Sequence, residues 1–283
     1  GVITAPDRKS GRGLKVTPSA VKQYALTTGV PILQPTNLKN TDFQDDLRKL
    51  GAEIQVVIAF RMLPEAVWNM PPKGTINLHA SLLPDYRGAA PINWAIINGE
   101  TKTGLTTFQL VHEIDKGGIL LQHEMPISMD ENVGSLHDRM MQEGADLVIQ
   151  TLNGLANETI ETQAQDELNE YHQAPKIFKD DCIIDWNQSS KAIYNLIRGL
   201  SPYPVARTTI REAGSDKELL LKIFHANYRL ESHDNAPGNI HSDDEEFLSI
   251  ATLDGWIDIN ELQLEGRKRM KTDKFLRGFQ ISK

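Results

Sequence analysis

Over the first 160 residues, short β-rich apolar runs alternate with segments of helical period. Residues 1–4 read as the end of a strand. Thr17-Pro18-Ser19 opens a helix that runs to Gly29, with Thr17 as N-cap and Pro18 at its first position. Asn40-Thr41 opens a second helix ending near Gly51, and a short third follows Pro64. Residues 54–59 and 75–79 are buried strands by their apolar, β-branched content, and 104–110 and 118–125 are two more. Helices span 89–98 and 135–152, and Asn98-Gly99 and Gly117-Gly118 mark turns. Strands alternating with helices predict an α/β domain with a mostly parallel sheet. A doubly wound sheet opens with a whole strand and helix, whereas this chain opens on a strand end, so about one βα unit is expected to be missing from its start.

From about residue 163 to 179 the pattern turns irregular and polar. The expected division is a first domain over 1–170, a linker over 171–179 and a second domain over 180–283. The second domain holds one helix, 189–200, and then short strands at 206–210, 219–224, 247–251 and 256–264, with Pro237-Gly238 the clearest turn. Several short strands with little helix predict a small barrel or sandwich.

Length and composition agree with two soluble domains: 283 residues, 40% hydrophobic and 24% charged. No apolar stretch approaches the roughly 18 residues of a membrane span, and the first residues do not form a signal peptide. The single cysteine, Cys182, excludes an internal disulfide, fits a reducing cytoplasm and is assigned a passive role. His112, His123, His137 and His172 lack a recognisable ligand spacing, so no metal is expected. The net charge of −8 argues against nucleic acid, but its distribution argues for it. Residues 1–22 carry Arg8, Lys9, Arg12, Lys15 and Lys22 against Asp7 alone, a net of +4, and residues 265–283 carry a net of +5, leaving −17 between them. Two basic ends on an acidic body suggest a local footprint for a polyanion.

Candidate chemistry begins at Asn77 and His79. Residues i and i+2 of a strand project from one face, so the segment 75–79 offers an amide and an imidazole to one point, and packing alone gives an apolar strand no reason to carry both. Asp115, in a strand-to-strand loop before Gly117-Gly118, is a turn residue on its own. As a partner of His79 it would hold the imidazole protonated or relay a proton through water. Asn77 and protonated His79 could then stabilise a developing oxyanion. Such a trio suits acyl transfer to an amine, which needs no serine or cysteine nucleophile because the amine itself attacks.

Asn77-x-His79, followed by Ser81-Leu82-Leu83-Pro84, by Tyr86-Arg-Gly-Ala-Ala-Pro91 and by Asp115, resembles the folate-dependent formyltransferases. The likeness runs along essentially the whole chain and is greatest to the members that formylate methionyl initiator tRNA. Pro6–Gly13 and 17–22 resemble their extra loop, and 262–270 resembles their C-terminal domain. The resemblance implies a Rossmann-like formyltransferase domain followed by a small OB-like β-barrel. It implies Asn77, His79 and Asp115 as catalytic residues, and Ser81, Leu82, Leu83 and Pro84 as the tetrahydrofolate-contacting segment. It also implies Arg12 as a residue reaching the acceptor end of the tRNA, with Arg8, Lys9 and Lys15 beside it and Arg267, Lys268 and Arg269 further along the same RNA. The implied donor is 10-formyltetrahydrofolate and the implied acceptor is charged initiator tRNA, acted on by a cytoplasmic monomer.

Two segments depart from the family pattern. Lys116-Gly117 stands where many members carry Thr and Asp, and Phe60-Arg61 stands where Tyr-Gly is common, near the expected pterin pocket. Three other readings remain: a sugar-nucleotide formyltransferase acting on a 4-amino sugar, a glycinamide ribonucleotide formyltransferase, and an RNA-binding module with a decayed site. The basic Gly-Arg-Gly loop argues against the first, the appended barrel against the second and the intact trio against the third.

Overall fold

A computed structural model of the chain describes residues 1–10, 15–59, 61–166 and 170–282. Strands β1 (Val2–Ile3) and β4 (Ile32–Leu33) pair in parallel around the hairpin β2 (Arg8–Ser10) and β3 (Lys15–Thr17) and helix α1 (Ala20–Thr28). Helix α1 starts later than the Pro18 pattern predicts. Thr17 stays extended because it pairs with Arg8, as the residue before a proline prefers. Ser19 is therefore the N-cap, its hydroxyl accepting from the Lys22 N–H, and Gly29 closes the helix at φ 69°. Helix α2 (Thr41–Lys49) begins at the expected cap, with Asn40 Oδ1 accepting from the Phe43 N–H.

The central sheet has the order β5-β6-β8-β9, made of β5 (Gln55–Ile58), β6 (Thr75–His79), β8 (Lys102–Gln109) and β9 (Ile119–Pro126). Helix α3 (Glu65–Trp68), strand β7 (Arg87–Gly88) and helix α4 (Pro91–Ile97) lie between these strands in the chain. Pairing is parallel at β1–β4 and β5–β6; β8 and β9 continue the sheet antiparallel. Helix α5 (Val133–Ala156) starts at a capping box between Asn132 and Ser135 and covers β8 and β9. Its buried Leu136, Met140 and Leu147 complete a core with Leu105 and Met125.

After α5 the chain returns across this body: Gln163 bridges Ile119, and β10 (Gln173–Ala174) pairs in parallel with β7. Helix α6 (Ser190–Leu200) follows, its first turn capped by Ser189 and by the carboxylate of Asp254, which accepts from the Ser190 N–H and hydroxyl. The second domain is an antiparallel sheet in the order β11-β12-β15-β14-β13. Its strands are β11 (Ala206–Arg211), β12 (Glu218–Leu230), β13 (Ile240–Ser242), β14 (Leu248–Ala251) and β15 (Gly255–Leu264), with β16 (Met270–Lys271) on β15 and helix α7 (Thr272–Leu276) after it. Register shifts at Ile223–Ala226 let the long strand β12 bend, so the sheet curls around one core of Ile223, Leu221, Ile257, Leu262 and Phe275. Cys182 lies in that core, fully buried, and burial pushes its thiol pKa up, as befits a passive residue. Among the described residues, no helix is long and apolar enough to cross a membrane.

The two domains meet where α4 crosses α6. Asn93 Nδ2 donates to the Gly199 carbonyl at 2.7 Å, and a Cβ on Gly199 would lie 2.6 Å from Ile97 Cγ1. Buried Arg198 donates from Nε to Asn195 and from Nη1 to the Glu131 carbonyl. Gly199→Ala is therefore expected to lower stability by about 1–3 kcal/mol through overpacking, measured as a fall in the urea midpoint. Unchanged stability would show that the crossing has slack.

Candidate functional site

Strand β6 presents Asn77 and His79 on one face, as the period of two requires, while Leu78 packs the other way against α5. Asn77 lines a cleft of about 990 Å³ whose walls carry Leu38, Val57, Leu63, Trp68 and Ile114. Among the described residues its amide has no hydrogen-bond partner, so both its donors and its acceptor are open to a ligand. Phe108, opposite Asn77 on β8, meets the His79 ring edge-on at 6.4 Å between centroids.

His79 is only 7% exposed, and the backbone sets its tautomer. Nε2 lies 2.9 Å from the Tyr86 carbonyl oxygen. A carbonyl only accepts, so Nε2 carries a hydrogen and Nδ1 is the atom left for chemistry. Nδ1 faces the Asp115 carboxylate at 3.9 Å, outside hydrogen-bond range but within ion-pair range once Nδ1 is protonated. Asp115 Oδ2 also accepts from the Gly88 N–H at 3.0 Å, which supplies the partner a largely buried carboxylate needs.

Asp115 sits at φ 54°, a left-handed conformation that Asp tolerates better than most residues. Two glycines make this arrangement possible. A Cβ on Gly117 would lie 1.6 Å from the Gln109 carbonyl oxygen, and one on Gly88, at φ 130°, would lie 2.4 Å from that of Ala174. Gln165 spans the loop, donating from Nε2 to the carbonyls of Asp115 and Gly117 at 2.7 Å each.

The segment Ser81 to Pro84 adjoins the trio from behind the cleft. Ser81 is buried and its hydroxyl donates to the Asp85 carbonyl; the Ser81 carbonyl accepts from Thr106 Oγ1, which in turn accepts from the Leu83 N–H. Leu82 packs over Gly104 on β8. Leu83 is buried, Leu82 and Pro84 are half-buried, and none of the four lines the cleft. On the far side of Tyr86, Asp85, Glu100 and His172 bring one ligand atom each within 4.8 Å. Both carboxylates there are already engaged: Glu100 accepts from the Tyr86 hydroxyl and Asp85 from the His172 N–H. Burial, and then the bond to Glu100, push the Tyr86 phenol pKa up, so it stays a donor.

The basic candidates are scattered. Arg8 is exposed on β2, Lys9 and Lys15 stand in the two strands of the hairpin, and Arg12 lies outside the described residues, as does Phe60. Arg61, by contrast, lines the cleft and donates to the carbonyls of Pro35 and Thr36. In the second domain Lys268 is exposed, Arg267 donates to the Gly278 carbonyl, and Arg269 pairs with Glu261 at 2.5 Å while stacking 4.2 Å from the Phe224 ring.

Residues 1–152 match the formyl transferase family, and residues 176–280 match the formyl transferase C-terminal domain. The chain belongs to the formyl transferase family. A relative from Parabacteroides distasonis, named methionyl-tRNA formyltransferase, is 52% identical over 99% of this chain and 87% of its own length. Among solved structures, HypX from Aquifex aeolicus in complex with tetrahydrofolic acid superposes with a TM-score of 0.64 at 21% identity, over 89% of this chain and 44% of that one. The sugar 3N-formyl transferase WlaRD superposes at 0.60 and 18% identity, over 88% and 82%. Both share the fold.

Three further residues of this candidate site were not read from the sequence. Gly88 stood within a quoted motif, but nothing marked its N–H as a ligand for Asp115. Tyr86 acts through its carbonyl, which has no residue signature, and Gln165 fell in the stretch read as irregular and polar. Gly88→Ala is expected to shift β7 off β10 and take the N–H away from Asp115, lowering turnover at least tenfold, since misplacement by about 1 Å costs on the order of a hundredfold. Steady-state kinetics on the folded variant decide it; wild-type turnover would mean that the carboxylate does not depend on this donor.

Proposed function

We propose that this protein transfers the formyl group of 10-formyltetrahydrofolate to the α-amino group of methionine esterified to initiator tRNA, for translation initiation. One observation carries this reading: an unpartnered Asn77 amide and Asp115 line an apolar cleft, and His79 Nδ1, on the same strand face as Asn77, lies 3.9 Å from the Asp115 carboxylate. The sequence around that cleft belongs to a chain 52% identical to a protein named methionyl-tRNA formyltransferase. The 18% identity to the sugar enzyme speaks for fold alone.

Asn77 Nδ2 and protonated His79 Nδ1 donate to the formyl oxygen as the amine adds and the oxygen becomes an oxyanion. Because Nε2–H is committed to Tyr86, His79 can donate from Nδ1 only as the imidazolium, and Asp115 stabilises that cation. Asp115, directly or through one water, takes the proton released by the amine, and that proton ends on the departing nitrogen. 10-Formyltetrahydrofolate supplies the formyl group, its N10 keeping the electrons of the broken C–N bond. The apolar walls of the cleft suit a flat pterin, while Ser81 to Pro84, none of which lines the cleft, support the site through the turn that carries the Tyr86 carbonyl. No step requires a metal. The reaction belongs in the cytoplasm, where charged tRNA is used, and a single chain carries the whole trio, so a monomer suffices.

The test offers 10-formyltetrahydrofolate with either charged initiator methionyl-tRNA or a 4-amino sugar nucleotide. Formylation of the tRNA alone is expected, and Asn77→Ala should lower kcat by about a hundredfold to a thousandfold, as loss of one oxyanion donor does. Transfer to the sugar alone would overturn the reading.

The basic segment around Arg12 is the one assigned to the acceptor end of the tRNA. Arg12→Ala is expected to raise KM for tRNA severalfold and lower the salt slope of binding by about one, with folate affinity unchanged. An unaltered salt dependence would remove the segment from the RNA interface.

A further inference from the structure

The segment that leaves α5 for the second domain passes directly over the Asp115 loop. Its first hydrogen bonds there are the pair between Gln163 and Ile119, at 2.7 and 2.8 Å. Two residues later Gln165 spends both hydrogens of its amide on the carbonyls of Asp115 and Gly117. Its Oε1 accepts from Arg87 Nε at 3.1 Å and from Arg87 Nη2 at 2.5 Å. The orientation of this amide is unambiguous: turned over, it would set its hydrogens against the guanidinium and its oxygen against two carbonyls, and all four bonds would be lost. Arg87 is itself held, 4.9 Å over the Tyr171 ring.

We propose that Gln165, backed by Arg87, is a positioning residue for formyl transfer that sets the distance between the Asp115 carboxylate and His79. This rests on the reading of Asp115 as part of the catalytic trio. Asp115 is held at two points that share one reference. Its carboxylate is fixed by the N–H of Gly88, and its backbone is fixed by Gln165, which Arg87 orients; Arg87 and Gly88 together are strand β7. The left-handed backbone at Asp115 makes the second point necessary. A residue at φ 54° is not held there by its own preference, and the loop's other backbone anchors sit at its two ends, at Leu110 on one side and at Gly118 and Ile119 on the other. Without the Gln165 donors, two carbonyls turn to water and the Gly88 bond alone carries the aspartate.

The experiment measures kcat, KM for each substrate and thermal midpoint for Gln165→Ala, Gln165→Glu and Asp115→Asn in the full chain. Gln165→Ala is expected to lose kcat by about tenfold to a hundredfold, the scale of a small misplacement of a catalytic group. Both KM values should stay within about twofold and the folded fraction should not change. Gln165→Glu keeps the Arg87 contact but has no hydrogens for the loop, so it should lose as much as Ala. A Gln165→Ala enzyme with turnover within twofold of wild type overturns the proposal. So does a Gln165→Glu enzyme with wild-type turnover, because the Arg87 contact would then be the part that matters. Asp115→Asn separates the two readings. Near-normal turnover there removes Asp115 from the chemistry, whereas an inactive Asp115→Asn beside a fully active Gln165→Ala removes only the clamp.

Discussion

The hydrogen bond from His79 Nε2 to the Tyr86 carbonyl decides what the rest of the site can be. It leaves Nδ1 toward the Asp115 carboxylate, so the imidazole donates into the site only when charged. The acceptor is a backbone atom and can be placed only by turning the chain. Tyr86 does so at φ 57°, a left-handed conformation that costs a bulky residue on the order of 1–3 kcal/mol. The compensation is local. The buried Tyr86 ring stacks on His172, its hydroxyl donates to Glu100, and its N–H donates to the His172 carbonyl. Ser81 and Thr106 shape the same turn from the other end. The polar groups of the Ser81–Pro84 segment are thus largely spent on the turn that aims His79.

The net charge of −8 sets the protein against a polyanionic acceptor. Screening resolves this, because at physiological salt fields from exposed charges fade over about 8 Å and only local charge counts. Two arginines of the second domain proposed to meet the RNA are already occupied. Arg269 pairs with Glu261, and Arg267 caps a carbonyl. Exposed pairs of this kind contribute roughly 0–1 kcal/mol, so exchanging Glu261 for a phosphate costs little.

What could be read from the chain follows from the kind of signal each feature leaves. Asn77 and His79 were legible because a period of two puts both on one face, and polar residues in an apolar strand stand out. The cap at Asn40 and the starts of α5 and α6 were legible to within two residues because capping chemistry is local. The N-cap of α1 was misplaced by two residues because hairpin pairing of Thr17, a long-range event, overrode the local Thr-Pro signal. The antiparallel turn of the sheet at β8, the short strands β13 and β16 and the return strand β10 depend on partners far away in sequence, and two or three residues carry no period. Gln165 was hidden for a related reason: an isolated glutamine among polar residues looks like solvent-exposed chain until its three partners, Asp115, Gly117 and Arg87, are in place.

The route of the chain also bears on how a large acceptor is handled. The contacts that fix the second domain and those that fix Asp115 converge on residues 87–97. Strand β7 receives β10 and supplies the Gly88 N–H, while α4, which starts three residues later, carries the crossing with α6. That crossing is close, with Gly199 against Ile97 and Asn93, and buried Arg198 satisfies carbonyls of the loop before α5. None of these contacts can slide without leaving buried polar groups unpaired, at about 1–3 kcal/mol each. An acceptor that touches both domains therefore meets a surface whose spacing is set before it arrives. Such preorganisation lowers the ordering cost of binding and refers that spacing to the strand that also holds Asp115.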